Sequence, residues 1–468
     1  MMTTIATTQT PARTSELLNR ELARPGSELA RIDLNGGRFE RLHTFGVPRL
    51  SRPLLLGAGE IRALGEDLMV LVGLLTTAHL RLFDGDPRRL ATELGIPEVQ
   101  ARLMCRPRTR PAPPFGRIDA YHDGESLKVL EVNASSDAGG AHWVSEIPEA
   151  LQEFPHFREF AGTHGLRHTD TVGMLADALR EVAAPVTSGH DPVVAVLEGP
   201  GGLAEYGDAW RPLTEALRLR GLDCHLGEIT EVTFRDGRVL LGDVPVDVVF
   251  RVFSLDQVTA DAENTEKTES LLAAHEDGRV ALWITPQAGD NKRFLAHLSD
   301  PRLRGHLSDE ERRVVDRRLP WTRALPDAAA LDGDRELAEQ LRDERERLIL
   351  KPDTGFGGQG IVRGWETDDD AWWRALRAAA AGGAVVQRRV VPRAERLYDP
   401  ATGRTADWEA CWGMFYLPSG YAGGGGRLIP VGAPSDIPLD QRRVAGLFLC
   451  PDDATGAPAA TVAGGATR

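Results

Sequence analysis

Polar and apolar residues alternate on both sides of a single strong turn signal, and this pattern constrains the fold more than any other in the chain. The dipeptide Asp123-Gly124 separates two alternating runs, which predicts an antiparallel β-hairpin. Because successive side chains of a strand point to opposite faces, each strand brings two polar side chains to one face. These residues are Arg117 and Asp119 on the first strand, and Glu131 and Asn133 on the second.

The length of the turn decides how the two strands face each other. With an odd loop, such as Asp123 to Glu125, Arg117 faces Glu131 across the ladder and the four polar groups share one face, whereas an even loop scatters them. The opposite face then carries Ile118, Ala120, Leu130 and Val132. Two carboxylates and an amide oxygen on one face form an oxygen-only donor set, which suits Mg²⁺. The alternative to a metal site is an amphipathic hairpin whose polar face contacts only water.

A second motif lies about two hundred residues later, where an apolar strand ends in Lys351 and runs into a glycine-rich segment. Gly355, Gly357 and Gly360 satisfy the GxGxxG pattern of dinucleotide-binding dehydrogenases, so a nicotinamide oxidoreductase is one interpretation. That fingerprint opens a helix, whereas these glycines lead into the strand-like residues 361–364. The context favours a β-hairpin loop whose amides can close over phosphates, with the lysine beside them.

Lysine is scarce in this chain, since four of the 55 basic residues are lysine and the others are arginine. An ammonium and a guanidinium group contact phosphate differently, so a lysine within a phosphate-binding motif is expected to resist replacement by arginine. Lys351 follows the apolar strand, and Lys292 stands at a predicted helix start. Both are candidate phosphate contacts, and a solvated surface position is equally compatible with Lys292.

Three further positions give weaker signals. Gln387 lies in a predicted strand that passes into a linker, whose backbone can meet the edge of an adenine. Glu409 lies on another predicted strand and faces either a metal or water. Arg427 follows glycines 423–426, which predict either a flexible substrate or phosphate contact or a plain turn.

The overall composition excludes several kinds of partner. With 69 acidic and 55 basic residues, the net charge of −14 disfavours nucleic acids and anionic membranes as ligands. The four cysteines are far apart and form neither a zinc motif nor a disulfide framework, which favours the reducing cytoplasm. The longest apolar run, Leu68 to Leu75, is far shorter than the ~20 residues that span a bilayer. We therefore expect a cytoplasmic protein with no nucleic-acid or membrane partner.

Taken together, these motifs resemble those of the circularly permuted ATP-grasp ligases, a group that includes eukaryotic-type glutathione synthetases and the synthetase half of glutathionylspermidine synthase. The resemblance is carried by Arg117-x-Asp119, by Glu131-x-Asn133 and by Lys351 with its glycine loop. In ordinary ATP-grasp chains the nucleotide lysines precede the metal-binding Glu-x-Asn, whereas here they follow it. The implied fold is an α/β (α+β), circularly permuted ATP-grasp with a small inserted α/β lobe and an N-terminal helical layer.

The resemblance also implies a role for each matching residue. It implies Mg²⁺ ligation by Asp119, Glu131 and Asn133, and it places Arg117 on the transferring phosphoryl group or the substrate carboxylate. It further implies ATP phosphate contacts from Lys292 and Lys351, a phosphate lid formed by Gly357, Gly358 and Gly360, an adenine contact from Gln387, and substrate contacts from Ser135, Ser136 and Arg427. Family members carry a glutamate in the glycine loop as a further metal ligand, and here either Asp353 replaces it or the ligand is absent.

The same resemblance, with the periodicity of the chain, predicts five parts. They are an N-terminal helical region (1–114), a metal-binding hairpin of the ATP-grasp core (115–165), a small α/β substrate lobe (166–275), a nucleotide-binding lobe (276–450) and a disordered tail (451–468). Within the small lobe, strands are predicted over residues 193–197, 223–226 and 246–253, with a helix over 210–220.

The implied reaction is the ATP-dependent joining of a carboxylic acid to an amine through an acylphosphate, with release of ADP and phosphate and with ATP and Mg²⁺ as cofactors. Phosphoryl transfer to a carboxylate requires cations that neutralise the developing charge, and a closed site that protects the mixed anhydride from water. The expected substrates are small amino acid, peptide or polyamine-like molecules, and the family pattern implies a homodimer. A catalytically inactive ATP-binding regulatory or scaffold protein of the same fold is the alternative.

Overall fold

The computed structural model describes residues 9–40, 42, 44–106, 114–134, 138–283, 291–353, 359–434 and 437–452. Its helices are α1 (Gln9–Ala23), α2 (Ala58–Leu82), α3 (Pro87–Glu93), α4 (Glu98–Met104), α5 (Ala141–Gln152), α6 (Pro155–Thr163), α7 (Thr171–Thr187), α8 (Gly202–Leu219), α9 (Leu255–Thr259), α10 (Ala262–Glu276), α11 (Arg293–Ser299), α12 (Pro301–Arg304), α13 (Asp309–Arg318), α14 (Ala328–Gly333), α15 (Arg335–Asp343) and α16 (Asp369–Gly382). Its strands are β1 (Leu54–Gly57), β2 (Gly116–His122), β3 (Leu127–Asn133), β4 (Val193–Glu198), β5 (Asp223–Glu228), β6 (Val232–Arg235), β7 (Arg238–Leu241), β8 (Val244–Pro245), β9 (Val248–Arg251), β10 (Ala281–Trp283), β11 (Thr322–Ala324), β12 (Leu348–Pro352), β13 (Val362–Arg363), β14 (Ala384–Arg388), β15 (Ala394–Asp399), β16 (Arg404–Leu417), β17 (Gly420–Pro430) and β18 (Arg443–Cys450).

The largest sheet has seven strands in the order β1-β18-β17-β16-β2-β3, with β15 paired to β16. β1 runs parallel to β18, while the other neighbours are antiparallel. Ile118 and Ala120 of β2 pack into the apolar core that α2, α11 and α13 share. On the opposite side of the sheet, α5 and α7 cover β17 and β18. The predicted polar residues of β2 point to this second side because they alternate with Ile118 and Ala120.

Strand β1 was missed by the sequence analysis, which predicted only helices in the N-terminal region. Its four residues are all buried, and they pair with residues 447–450 of β18. A four-residue apolar run directly before the 25-residue helix α2 has too few positions to reveal a strand period. The N-terminal part of the chain therefore contributes an edge strand to the main sheet as well as helices.

Glycines 423–426 lie within strand β17, so the predicted turn was wrong, and so was the flexibility predicted for this segment. The substrate contact of Arg427 stays a prediction. A Cβ at Gly425 would lie 2.6 Å from the Trp143 ring, and a Cβ at Gly424 would overlap the Met414 sulfur. The glycines thus allow α5 and β16 to approach the strand closely. Arg427 projects from this same regular strand.

A second sheet contains the parallel strands β10-β9-β4-β5. Strands β4, β5 and β9 confirm the three strands predicted over residues 193–253, and α8 confirms the predicted helix. The helix begins at Gly202, earlier than predicted, because Gly201 adopts a left-handed conformation (φ 71°) that starts it. A small three-stranded sheet, β6-β7-β8, follows β5.

A third sheet has the order β11-β14-β12-β13 and is antiparallel. Leu350 and Val386 pack on one face against α14, α15 and α16, so Lys351 and Gln387 lie on the other. The glycine-rich segment continues into β13 and not into a helix, which confirms the hairpin prediction and argues against a dinucleotide fingerprint. Within the described ranges, no helix is both long and apolar enough to cross a membrane.

Candidate functional site

A cavity of about 580 Å³ lies between hairpin β2–β3 and the third sheet. Its volume falls within the ~300–1,000 Å³ that is typical of ligand pockets. Eight of the predicted site residues line it, namely Arg117, Asp119, Glu131, Asn133, Lys292, Lys351, Gln387 and Arg427. Glu409 lines it as well. The cavity therefore brings together motifs that are widely separated in the sequence.

Other predicted residues lie elsewhere. Asp353 and Gly360 are not among the described residues that line the cavity. The Asp353 carboxylate forms an ion pair with Arg293, whose Nε lies 3.0 Å away. The backbone oxygen of Asp353 accepts a hydrogen bond from the backbone N–H of Lys292 at 2.8 Å. Ser135, Ser136, Gly357 and Gly358 lie outside the described residues.

The hairpin places its four polar side chains on one face, as predicted, but in a different register. Arg117 pairs with Asn133 and Asp119 pairs with Glu131, so the predicted pairing of Arg117 with Glu131 was wrong. The turn contains four residues, because His122 pairs with Leu127. An even loop alone would scatter the polar groups, but one extra residue in β3 forms a β-bulge and restores the shared face.

Leu130 is the bulged residue, because Asp119 pairs with Glu131 while Ala120 pairs with Val129. The sequence analysis placed Leu130 on the apolar face, which was wrong, since it lines the cavity. Its carbonyl oxygen accepts hydrogen bonds from Lys351 Nζ and from Gln387 Nε2, both at 3.2 Å. The bulge thus connects the hairpin directly to the third sheet.

Asp119 is buried between two arginines. Arg117 donates to it from Nε at 2.8 Å and from Nη2 at 3.2 Å, and Arg427 Nη2 lies 2.6 Å from its Oδ2. Burial alone would raise the pKa of Asp119, but the two guanidinium groups hold that pKa well below its ordinary value. Arg117 is fixed in turn because its Nη1 donates to the Gly139 carbonyl oxygen at 2.5 Å.

Glu131 and Asn133 complete the oxygen donors of the hairpin. Burial, together with the neighbouring Asp119 carboxylate, raises the pKa of Glu131. Lys292 Nζ lies 3.8 Å from Glu131 Oε2. Asn133 Nδ2 donates to the Arg117 carbonyl oxygen at 3.2 Å. Among the described residues, no three His, Cys, Asp or Glu side chains group to hold a metal, so an ion here would need the Asn133 oxygen and further oxygens from a ligand.

Lys351 lies opposite the hairpin and is 5% exposed. Its Nζ donates to Gln387 Oε1 at 2.8 Å and to the Leu130 carbonyl oxygen. Burial lowers the pKa of Lys351 to about 8. Gln387 Nε2 donates to Thr322 Oγ1 at 3.0 Å. The amide of Gln387, which the resemblance placed near adenine, is thus engaged with Lys351 and Thr322.

Three further features of the site were not predicted. Thr322 reaches Gln387 from the edge strand β11. Gly413 of β16 pairs with Asp119, and a Cβ there would lie 3.1 Å from the Arg117 side chain. The Arg389 guanidinium stacks 4.0 Å from the centre of the Trp365 ring at the cavity lining. The alternation along β16 could have located Gly413, but the other contacts join segments with no shared sequence pattern.

The charges that line the cavity differ in sign from those of the whole chain. Eight guanidinium or ammonium groups and four carboxylates lie among its described lining residues, an excess of four positive charges. Half of the four lysines, Lys292 and Lys351, are among them. In a chain with a net charge of −14, this concentration of positive charge attracts a compact polyanion.

The chain was compared with known proteins. A solved structure of a glutathione synthetase-like effector from Globodera pallida superimposes with a TM-score of 0.56 and 13% sequence identity, over 93% of this chain and 97% of that one. At this identity the likeness concerns the fold alone. The chain therefore has the overall fold of that effector.

Relatives at the level of sequence cover a smaller part. An uncharacterized protein of Mycobacterium tuberculosis is 30% identical over 255 residues, which are 52% of this chain and 42% of that protein. A protein of Frankia alni that is named as a candidate glutamate–cysteine ligase is 28% identical over 261 residues, or 53% of this chain and 27% of that protein. The chain thus spans less than half the length of these relatives. No family model matches it.

Proposed function

We propose that this protein is an ATP-dependent carboxylate–amine ligase with a circularly permuted ATP-grasp fold. The observation that carries the proposal is the single cavity into which the hairpin Asp119-Glu131-Asn133 and the lysine Lys351 both project. Lys351 follows the hairpin by about two hundred residues, yet the bulged Leu130 joins the two by direct hydrogen bonds. This is the order of motifs that a permuted chain requires.

The excess of positive charge supports a nucleoside triphosphate as one ligand. Lys351 and Lys292 both interact electrostatically with Glu131, and both would contact the phosphates. The residues after β14 enter the cavity lining as a linker, where backbone groups can meet a purine edge. A triphosphate would bring negative charge to a lining in which cationic groups outnumber carboxylates.

The oxygen donors of the hairpin fit Mg²⁺. Burial, followed by repulsion from the adjacent Asp119 carboxylate, raises the pKa of Glu131. A divalent cation would relieve that repulsion. Asp119, Glu131 and Asn133 would hold the ion, and it would neutralise charge on the phosphates when bound. The three side chains proposed as ligands all offer hard oxygen donors, which favours Mg²⁺ over a transition metal.

In the proposed reaction, an oxygen of the substrate carboxylate attacks the γ-phosphorus of ATP, the bond to ADP breaks, and an acylphosphate forms. The amine nitrogen then attacks the acyl carbon, phosphate leaves with the bonding electrons, and the nitrogen loses a proton to give the amide. Arg117 and Arg427 would orient the acid, because both guanidinium groups meet at Asp119. Positioning of this kind accounts for much of the catalysis of phosphoryl transfer.

The fold neighbour and the named relative support an amino acid or a short peptide as the acid substrate, since both names refer to the joining of such molecules. The division into five parts, a cytoplasmic location and a homodimer stay predictions. The homodimer follows from the same resemblance as the ligase activity, the five parts from the resemblance and the periodicity of the chain, and the location from the scattered cysteines.

The direct test is to supply the purified chain with ATP, Mg²⁺ and pools of amino acids, amines and short peptides. We expect release of ADP and phosphate in equal amounts, with a condensed product detected by mass spectrometry. Release of AMP and pyrophosphate would contradict an acylphosphate intermediate. ATP binding that persists unchanged in Asp119→Ala and Glu131→Ala, without turnover in any pool, would favour a nucleotide-binding protein that is not a ligase.

A further inference from the structure

Thr322 stands behind Lys351 at the edge of the third sheet. Its side chain is 2% exposed, and it pairs with Gln387 across β11 and β14. Its hydroxyl donates to the Pro320 carbonyl oxygen at 2.9 Å and accepts from Gln387 Nε2 at 3.0 Å. Because a hydroxyl has one proton to donate, its oxygen meets Gln387 as an acceptor.

These contacts determine which way the Gln387 amide points. Nε2 donates to Thr322 Oγ1 and to the Leu130 carbonyl oxygen, while Oε1 accepts from Lys351 Nζ. Rotating the amide by half a turn would set Oε1 against the Leu130 oxygen and Nε2 against the ammonium. Both new contacts would join groups of the same polarity. Thr322 and Leu130 therefore hold the amide oxygen towards the lysine.

The fixed amide in turn holds the ammonium of Lys351. Two of its three N–H groups donate to Gln387 Oε1 and to the Leu130 carbonyl oxygen. Both acceptors are neutral, so they orient the ammonium without neutralising its charge. The third N–H would then serve a ligand anion in the cavity, and Glu131 is the carboxylate that acts most strongly on the ammonium.

We propose that Thr322 and Gln387 are positioning residues that hold the Lys351 ammonium in place for a ligand phosphate. The inference rests on the proposed function, in which Lys351 contacts ATP. It assigns Gln387 to the phosphate end of the nucleotide, through Lys351, and not to the adenine contact that the resemblance implies. Thr322 acts through Gln387, since its hydroxyl is committed to Pro320 and Gln387.

The first test compares Thr322→Val with Thr322→Ser in the full chain. Valine keeps the branched shape of threonine without the hydroxyl, while serine keeps the hydroxyl. We expect Thr322→Val to raise the Kd for Mg²⁺-ATP by about 3- to 10-fold in calorimetry, with most of the affinity recovered in Thr322→Ser. Thr268→Val is the matched control, because Thr268 is also fully buried and its hydroxyl donates at 2.8 Å to Asn264, outside the cavity lining. An equal loss in Thr268→Val would overturn the inference.

The second test is a double-mutant cycle with Gln387→Met and Lys351→Met, read out as the Kd for ATP. If Gln387 acts through Lys351, the substitution Gln387→Met should raise the Kd for ATP in the wild-type background and should change it little in the Lys351→Met background. An undiminished effect in that background would assign Gln387 to another part of the nucleotide and overturn the inference. The proposed function fails separately, if Lys351→Met itself leaves ATP affinity unchanged. If Lys351→Met weakens binding while Thr322→Val and Gln387→Met do not, only the positioning role fails.

Discussion

Two sides of the cavity hold their charged groups in different surroundings. The hairpin wall, formed by β2, β3 and Arg427, joins charges of opposite sign, since Asp119 lies between Arg117 and Arg427. The lysine wall, formed by β12 and β14, holds the Lys351 ammonium on two neutral oxygens. Burial therefore lowers the pKa of Lys351 to about 8, whereas the guanidinium groups keep the pKa of Asp119 low in spite of burial.

The difference indicates where each charge is compensated. On the hairpin wall the compensation of Asp119 comes from the protein, so Asp119 should stay ionised over a wide pH range, and removing one partner of this buried pair should destabilise the fold. On the lysine wall the hydrogen-bond partners orient the charge without neutralising it. Glu131 attracts the ammonium but does not outweigh its burial, so a bound anion would add the missing compensation. A substitution that removes a charge should therefore affect both stability and activity differently on the two walls.

Asp119→Asn should give the largest effect. The substitution keeps the shape of the side chain but leaves Arg117 and Arg427 without their shared carboxylate. We expect ligase turnover to fall by about 100- to 1,000-fold and the free energy of unfolding to fall by about 3 kcal/mol, since breaking a buried ion pair leaves a charge unpaired. Turnover assays and urea unfolding measure the two effects. Unchanged stability would show that the hairpin charges do not support the fold.

Lys351→Met should separate binding from stability. We expect the Kd for ATP to rise by about 30- to 100-fold, while the free energy of unfolding stays within about 1 kcal/mol of wild type, because the lost hydrogen bonds are offset by removal of a buried charge. Lys267→Met is the matched control, since Lys267 Nζ donates to the Thr230 carbonyl oxygen and lies outside the cavity lining. A large loss of stability in Lys351→Met would remove the contrast between the two walls.

The binding of ATP should also depend on pH through Lys351. Below about pH 8 the ammonium is protonated, and as the pH rises through the pKa of about 8 it loses its charge and its attraction for phosphate. Above this point we expect the affinity for ATP to decrease with pH, with a slope that approaches ~10-fold per pH unit. Asp119 stays ionised throughout, because its pKa lies far lower. Calorimetric titrations from pH 6.5 to about 9.5 should show the inflection in the wild type and a flat profile in Lys351→Met.

Gly413→Ala should give the smallest effect and probes the hairpin wall alone. The added Cβ would lie 3.1 Å from Arg117 Cδ, so the arginine must shift by a few tenths of an ångström. We expect turnover to fall by about 3- to 10-fold with little change in the Kd for ATP. Gly73→Ala in the middle of α2 is the control, because nothing lies within 4 Å of a Cβ there. A rise in the Kd for ATP in Gly413→Ala would show that the two walls are coupled.

The hairpin shows how far the sequence could predict the site. Period-two alternation and the Asp123-Gly124 turn correctly assigned four polar side chains to one face. The register was wrong, because the even turn is compensated by the bulge at Leu130. Nothing in the local sequence marks that bulge, and its carbonyl is held by Lys351 and Gln387 from another sheet. Such tertiary contacts leave no pattern in the strand itself.

Features that depend on contacts between distant strands were harder to predict, because such contacts leave no pattern in the local sequence. The glycines before Arg427 suggested a turn, but Gly425 is required because Trp143 packs against the strand. Thr322 gave no signal, because its importance depends on meeting Gln387 across two strands. Lys351 could be singled out because it is a lysine in a chain rich in arginine, and it lines the cavity. Residues with ordinary chemistry become visible only once their neighbours are known.

The strand order of the main sheet bears on how the protein is made. The hairpin β2–β3 is translated early, but its neighbour β16 begins only at residue 404, and β18 must then bridge to β1. A chain still growing on the ribosome can therefore form its parallel sheet before the hairpin acquires a neighbouring strand. Pairings this distant are slow to form and leave strand edges exposed meanwhile. The main sheet should therefore close only once residues 404–450 have been synthesised.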